Sequence, residues 1–205
     1  MSTKRIVVVS AGLSVPSSTR LLADMLAEAT SRAVNARGVE VEIEHVELRG
    51  LAHALTDNLL TGFPSGALAD AVEAVAAADA VIAVTPVFSA SYSGLFKSFF
   101  DVLDAGTLGG TPVLMAATAG TARHSLVLEH ALRPLFSYLH ATVVPTGVFA
   151  ATDDFGDTGL DRRIERAAGE LAALTGKVDP TARRRRFVDD EFADPTPFED
   201  LLRGA

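Results

Sequence analysis

The sequence predicts an α/β fold, a three-layer sandwich in which helices cover both faces of a five-stranded parallel sheet with strand order 2-1-3-4-5. Strand-like and helical runs alternate along the chain in five β–α units, which is typical of a parallel sheet wound with helices on both faces. Residues 6–9 and 80–84 are apolar without polar alternation, the pattern of central strands covered on both sides.

The remaining elements follow from periodicity. Residues 39–46 alternate partly with glutamates, which predicts a strand nearer the sheet edge with one wetter face. Two further strands and five helices complete the alternation; the strands span 111–118 and 141–149, and the helices span 21–32, 67–78, 95–103, 128–139 and 160–174. Residues 49–63 show no assignable pattern. Pro134 lies inside the fourth helix and should kink it, because proline removes a backbone donor.

Length and charge set the domain organisation and exclude some partners. The 205 residues fit one domain over residues 1–176, followed by a tail over 177–205 that contains four consecutive arginines at 183–186. We interpret the tail as an arm that reaches a neighbouring subunit. A net charge of −8 disfavours nucleic acid or an anionic membrane surface as the main partner.

The absence of cysteine limits the chemistry. It excludes disulfides, thiolate nucleophiles and cysteine-ligated metal centres, and it fits a cytoplasmic protein. The five histidines show no metal-ligand spacing, so we expect no metal site. Redox chemistry in such a chain would need a bound organic cofactor.

The loop after the first strand, residues 10–19, is rich in hydroxyl groups and contains a glycine. It leads into a helix, whose N-terminal N–H groups and dipole favour an anion, so a phosphate monoester would fit there. The alternative is that Ser18 or Thr19 only caps the helix. Both interpretations are consistent with the residues alone.

Two more loops leave central strands at the same predicted edge of the sheet. Residues 85–94 combine a proline, two aromatic rings and small residues, a surface against which a flat ring could lie, although Phe88 and Tyr92 could equally be packing residues. Residues 118–124 again place hydroxyls and a glycine at a strand end. Arg123 could receive a cofactor phosphate and His124 could border a bound ring, but surface positions are equally natural for both.

Residues 10–22 and 85–97, followed by Phe100 and Asp101, resemble the NADPH-dependent FMN reductase family, and the resemblance extends over residues 5–175. It implies a flavodoxin-like fold, FMN and NADPH or NADH as cofactors, and a homodimer or homotetramer. It also implies that the first loop binds the phosphate and the other two loops border the isoalloxazine. The cofactor-binding residues expected on this basis are Ser10, Leu13, Ser14, Ser17, Ser18, Thr19, Pro86, Val87, Phe88, Ser89, Thr118, Ala119, Gly120 and His124.

One position departs from the family pattern. Many members carry an arginine near the phosphate in the first loop, where this chain has Ser14. Residues 118–126 and 132–136 are similar to a subgroup that supplies reduced flavin to luciferase-like flavin-dependent monooxygenases. Hydride transfer between the two cofactors needs no protein nucleophile or base, so no catalytic side chain is expected.

Two other functions remain open from the sequence. A quinone or azo-compound reductase would keep FMN bound and pass electrons to another acceptor. A flavodoxin-type carrier would exchange electrons with partner proteins without oxidising NAD(P)H. The long serine–proline first loop favours a reductase over such a carrier.

Overall fold

The structure is a computed structural model, and it describes residues 3–175. The tail predicted over residues 177–205, with its arginine run, lies outside the described residues. The elements, in chain order, are β1 Lys4–Ser10, α1 Ser18–Asn35, β2 Val41–Glu47, α2 Ala52–Thr61, α3 Ala67–Ala77, β3 Ala80–Phe88, β4 Ser91–Tyr92, α4 Gly94–Asp101, β5 Pro112–Ala119, α5 Arg133–Tyr138, β6 Thr142–Val143, β7 Val148–Ala151 and α6 Thr158–Thr175.

The sheet has the predicted topology. Its parallel strands run in the order β2-β1-β3-β5-β6, with β7 also paired to β5 and β4 paired antiparallel to β3. In the register of the central strands, Val8 lies opposite Ile82, which lies opposite Leu114. The predicted order 2-1-3-4-5 is therefore confirmed. The strand β2 lies at the edge, as its glutamates predicted.

Alternate residues of each central strand enter two separate hydrophobic clusters. On β1, Ile6 and Val8 pack with α1 and α6, whereas Val7 and Val9 pack with α2, α3, α4 and α5. All four side chains are fully buried. Both faces of β1 lie under helices, so polar side chains would be buried on either face. This explains why residues 6–9 are all apolar.

The aromatic stripe of α4 belongs to the interior. Phe96, Phe99 and Phe100 are at most 1% exposed, and the rings of Phe100 and Phe136 meet edge to face with centroids 5.1 Å apart. Such pairs stabilise a core beyond the area they bury. These rings therefore pack against the sheet, within the chain.

The fourth predicted helix changes type along its length. Residues Leu128–Leu132 form a π-helical turn, and α5 then begins at Arg133, so that Pro134 lies in its first helical turn. The Arg133 N–H, just before the proline, bonds to the Leu128 carbonyl five residues back, the wider spacing of a π turn. The wider turn and the new helix start accommodate the proline that the sequence predicted to kink a single helix.

The last predicted strand, 141–149, is two short strands in the structure. The break contains Pro145, which cannot donate to a ladder, and Thr146, whose N–H and hydroxyl bind the Glu170 carboxylate of α6 at 2.7 and 2.8 Å. A side chain at Gly147 would crowd Leu128 and Met115 at 3.1–3.2 Å. Contacts on both faces of the sheet therefore stabilise the break between β6 and β7.

Residues 49–63, which the sequence left unassigned, form a 3-10 turn over Leu48–Leu51 and the helix α2. Gly62 ends α2 with φ of 81°, a left-handed conformation that favours glycine. No helix within residues 3–175 has the length and hydropathy needed to cross a membrane.

Candidate flavin site

A cleft of about 310 Å³ lies where β1, β3, β5 and β7 end. It is open to solvent, and its walls come from the three predicted loops and from the residue that follows β7. The lining consists of Leu13, Ser14, Ser18, Thr19, Pro86, Val87, Phe88, Thr118, Ala119, Gly120 and Thr152. Ligands of doubly wound sheets bind beyond the carboxyl ends of the strands, and this cleft has that position.

The first wall is the loop between β1 and α1. Ser17 caps α1, since its hydroxyl accepts the N–H of Arg20 at 3.2 Å, so the cap is neither Ser18 nor Thr19. Ser14 and Ser18 are exposed and line the cleft. A Cβ at Gly12 would overlap the Ser17 hydroxyl, so only glycine allows the loop to fold back this tightly.

The second wall is the hairpin of β3 and β4, which the sequence did not predict. Val87 pairs with Tyr92 and Phe88 with Ser91, and the turn residues Ser89 and Ala90 have φ of 48° and 66°. Positive φ at both central residues is the signature of a type I′ turn, which usually carries asparagine and glycine. Serine and alanine gave no such signal, and the hairpin was missed for that reason.

Two side chains fasten this hairpin to α4. The hydroxyl of Thr85 accepts the N–H of Ser93 at 3.0 Å and donates to the Pro86 carbonyl at 2.9 Å. Ser93 in turn caps α4 by accepting the N–H of Phe96 at 3.2 Å. Phe88, at the end of β3, is 47% exposed and presents an aromatic face at the cleft mouth.

The third wall follows β5. The buried Thr118 contacts Thr19 of the first wall, and Ala119 and Gly120 continue the lining. A Cβ placed on Gly120 would meet nothing within 4 Å, so the backbone here faces open space. Thr152, after β7, completes the lining. The sequence missed Thr152 because the end of the last strand was predicted before this residue.

Four predicted residues do not line the cleft. Ser10 is 4% exposed at the end of β1, Ser17 is occupied as the helix cap, and Ser89 lies exposed on the hairpin turn. His124 lies in a 3-10 turn over Ala122–His124 and lines an adjacent groove. The structure thus brings the three loops together, but four of the predicted side chains lie outside the cleft lining.

The lining contains no charged side chain among the described residues. Arg20, in the first turn of α1, is held by the carboxylates of Asp24, at 2.7 Å, and Glu47. Burial, assisted by this guanidinium, lowers the pKa of the nearby His45 imidazole below its ordinary value. Among residues 3–175, no group of three or more acidic or histidine side chains could hold a metal ion.

These donors fit FMN. A phosphate monoester can be bound by hydroxyls and by the N-terminal N–H groups of an 18-residue helix, here Ser14, Ser18 and α1. The apolar hairpin wall offers Val87 and Phe88 to the face of a flat ring. Fold and cleft together define a flavodoxin-like protein with an open cleft at the carboxyl edge of its sheet.

Comparison with known proteins identifies the family. Residues 4–156 match the NADPH-dependent FMN reductase family, and the chain belongs to it. It is therefore an oxidoreductase that reduces FMN with NAD(P)H.

Individual relatives agree with this assignment. The chain is 37% identical over 175 residues to the NADH-dependent FMN reductase SfnF of Pseudomonas putida, covering 83% of this chain and 92% of the relative. It is also 37% identical over 177 residues to an NADPH-using FMN reductase of Pseudomonas aeruginosa, covering 84% and 92%. An oxidoreductase structure from Corynebacterium diphtheriae shares 50% identity with a TM-score of 0.85, covering 87% of this chain and all of the other.

Proposed function

We propose that the chain binds FMN in this cleft, with the phosphate at the hydroxyl groups of the first loop and the isoalloxazine against the β3–β4 hairpin. The observation that carries the proposal is the composition of the lining: every residue in it except Thr152 was expected to contact flavin on the sequence alone. Three chain segments far apart in sequence converge there. Random exposure of three loops would not produce a common cleft with hydroxyls at one wall and an aromatic side chain at another.

The chain's own contribution is binding and orientation. FMN held in the cleft would supply the hydride-accepting ring, and no side chain of the protein would have to supply a proton or a covalent bond. Phe88 and Val87 form an apolar wall that excludes water from one side of the ring site. The backbone at Ala119 and Gly120, which lines the cleft, would offer fixed dipoles to a bound ring.

The uncharged lining favours flavin as an exchangeable substrate. A phosphate held only by neutral donors is hydrogen-bonded but gains no ion pair with a lysine or arginine side chain. We infer that FMN enters, is reduced and leaves, and that the reduced flavin serves a flavin-dependent monooxygenase. Because NAD(P)H is an intracellular reductant, this role places the chain in the cytoplasm.

The proposal includes self-association as a homodimer or homotetramer. Leu60 and Phe63, at the end of α2, are 82% and 79% exposed, and apolar side chains of this size favour burial against a second copy. Gel filtration with light scattering measures the state directly. A monomer at working concentration would contradict this part of the proposal.

The function is tested by anaerobic oxidation of NADPH and NADH with free FMN as the only acceptor, followed by filtration. Reduced FMN in the filtrate, in many-fold excess over protein, is the expected result. Flavin that remains with the protein while quinone or azo compounds are reduced would favour a reductase with bound FMN. Holoprotein that oxidises neither nucleotide would favour an electron carrier.

Placement of the flavin is tested separately with Gly120→Leu. The new side chain has room in the fold but projects where the ring would lie, so FMN binding should weaken at least about tenfold, a loss of about 1.4 kcal/mol. Gly50→Leu is the matched control, since a Cβ at Gly50 also meets nothing within 4 Å and Gly50 lies outside the cleft lining. Equal FMN affinity in both variants would contradict the placement.

A further inference from the structure

A second groove, of about 340 Å³, opens next to the flavin cleft. One wall is the hairpin at Ala90 and Ser91, and the other is the segment after β5, which contributes Arg123, His124 and His130. Apolar side chains, including Leu126 and Val127, complete the lining. We call this the basic groove.

The basic groove and the cleft share both of their flanking segments. Phe88 lines the cleft and Ala90 lines the groove, so their Cα atoms are at most about 7 Å apart by chain length alone. Gly120 lines the cleft and Arg123 lines the groove, and chain length limits the distance between their Cα atoms to about 11 Å. The cleft and the groove therefore lie side by side along these two segments.

The groove places the positive charge of Arg123 on a chain whose net charge is negative. The protein carries a net charge of −8, yet the groove is lined by one arginine and two histidines and by no carboxylate among the described residues. Within residues 3–175, the Arg123 guanidinium has no hydrogen bond or ion pair. Glu129, beside His130, is bound by Arg133 at 2.5 and 2.9 Å and does not itself line the groove.

We propose that the basic groove binds phosphate of the nicotinamide dinucleotide, with Arg123 as the principal contact and His124 and His130 beside it. The inference rests on the proposed function, because a nicotinamide ring stacked on flavin in the cleft must extend its phosphates out of the cleft mouth. Arginine offers a planar fork of donors that matches phosphate, and an arginine without an internal partner breaks no existing ion pair when it binds one. The apolar part of the lining is available to the adenine.

Two phosphate groups of the dinucleotide could occupy the groove. The pyrophosphate is present in NADH and NADPH, whereas the 2′-phosphate is present only in NADPH. The relatives do not decide between them, because an NADH-dependent and an NADPH-using enzyme are equally similar to this chain. The change in affinity for each nucleotide when Arg123 is replaced distinguishes the pyrophosphate from the 2′-phosphate.

The test is calorimetric titration of the FMN-saturated protein with the oxidised nucleotides NADP⁺ and NAD⁺. In Arg123→Ala, NADP⁺ should bind about tenfold or more weakly, as expected for loss of a hydrogen bond to a charged group. A loss confined to NADP⁺ assigns the 2′-phosphate to the groove, and an equal loss for NAD⁺ assigns the pyrophosphate. Arg123→Lys, which keeps the charge but not the fork, should fall between wild type and alanine.

Arg162→Ala is the matched control, since Arg162 is also exposed and lies on α6, against the opposite face of the sheet. It removes the same charge from the chain and should leave both affinities unchanged. Wild-type affinity for NADP⁺ and NAD⁺ in Arg123→Ala, with FMN binding intact, would overturn the inference and leave the proposed function standing. Wild-type protein that binds and oxidises neither nucleotide would instead overturn the proposed function itself.

Discussion

The hydroxyl oxygens of Thr19 and Thr118 lie 2.8 Å apart, although the two residues are 99 positions apart in sequence. Thr19 opens the first helix and Thr118 is near the end of a central strand, and their exposed fractions are only 2% and 3%. This contact joins the first and third walls of the cleft. It holds the candidate phosphate loop at a fixed position against the sheet before any ligand binds.

Removing one member of this pair should destabilise the protein. Thr19→Val keeps the shape but leaves the Thr118 hydroxyl buried without its partner, at a cost of about 1–3 kcal/mol. The double variant Thr19→Val/Thr118→Val should lose less than the sum of the two single losses, because neither hydroxyl is then orphaned. Urea unfolding measures the free energy of unfolding of the two single variants and the double variant. Strict additivity would contradict the coupling.

Thr30→Val is the matched control for this experiment. Thr30 is fully buried in the same helix, and within residues 3–175 its hydroxyl has no hydrogen-bond partner. Replacing an unpaired buried hydroxyl with a methyl group removes a desolvation cost, so this variant should be as stable as wild type or more stable. Replacement of threonine by valine is thus expected to lower the free energy of unfolding at Thr19 and to maintain or raise it at Thr30.

The uncharged cleft gives a prediction about flavin selectivity. Ser14→Arg introduces a cation into a lining that has none among the described residues, and it should bind the flavin phosphate directly. The affinity for FMN should rise about tenfold, whereas the affinity for riboflavin, which lacks the phosphate, should stay the same. Fluorescence titration with both flavins measures the ratio.

Ser137→Arg controls for the added charge, because Ser137 is exposed on α5 and outside the cleft. It should leave both flavin affinities unchanged. Equal tightening for FMN and riboflavin in Ser14→Arg would show that the phosphate lies elsewhere.

The hairpin turn stores strain that can be relieved. Ser89 and Ala90 both have positive φ, which costs non-glycine residues about 1–3 kcal/mol each. The double substitution Ser89→Asn/Ala90→Gly supplies the two residues that a type I′ turn prefers, so the same backbone conformation should cost less. The free energy of unfolding should rise by about 1 kcal/mol, as measured by urea or heat.

Ala105→Gly tests whether this gain comes from the backbone conformation. Ala105 is exposed and does not have positive φ, so glycine there only increases the freedom of the unfolded chain and should lower stability by about 0.4–1 kcal/mol. A loss of stability in the hairpin variant as well would contradict the strain interpretation.

Sequence reasoning predicted the sheet well because burial imposes a simple pattern. The uninterrupted apolar runs at 6–9 and 80–84 reflect strands covered by helices on both faces, and strand order then places three loops at one edge. Position after a strand marked the three loops as candidates, and the resemblance to the FMN reductase family selected residues within them such as Ser14 and Gly120. The two together predicted most of the cleft lining.

Features that depend on tertiary contacts could not be predicted in this way. The β3–β4 hairpin places serine and alanine in a conformation that their propensities disfavour. The break before β7 depends on Glu170, which lies 24 residues beyond Thr146. Ser17 caps the helix, and its neighbour Ser18 lines the cleft. Apolar periodicity does not locate the start of a helix to one residue, so the sequence could not assign these two roles.

The cluster at the start of α1 gives a prediction for pH. His45 Nδ1 lies 3.7 Å from the Asp24 carboxylate, but partial burial and the Arg20 guanidinium dominate and lower the pKa of His45 below about 6.5, the ordinary value for histidine. The unfolded chain therefore binds the proton more readily than the folded chain does. The stability that His45 contributes is present above about pH 6.5 and is lost as the pH falls through its folded pKa.

Arg20→Gln should raise the pKa of His45, because it removes a repelling cation and releases Asp24 to attract the imidazolium. NMR titration of the His45 ring protons measures the shift, and the midpoint should move upward, toward the ordinary value. His45→Gln provides the thermodynamic comparison, since unfolding free energies between pH 7 and 5, about the histidine range, should fall less steeply than in wild type. An unchanged His45 midpoint in Arg20→Gln would contradict the role assigned to the guanidinium, because burial would then account for the whole depression of the pKa.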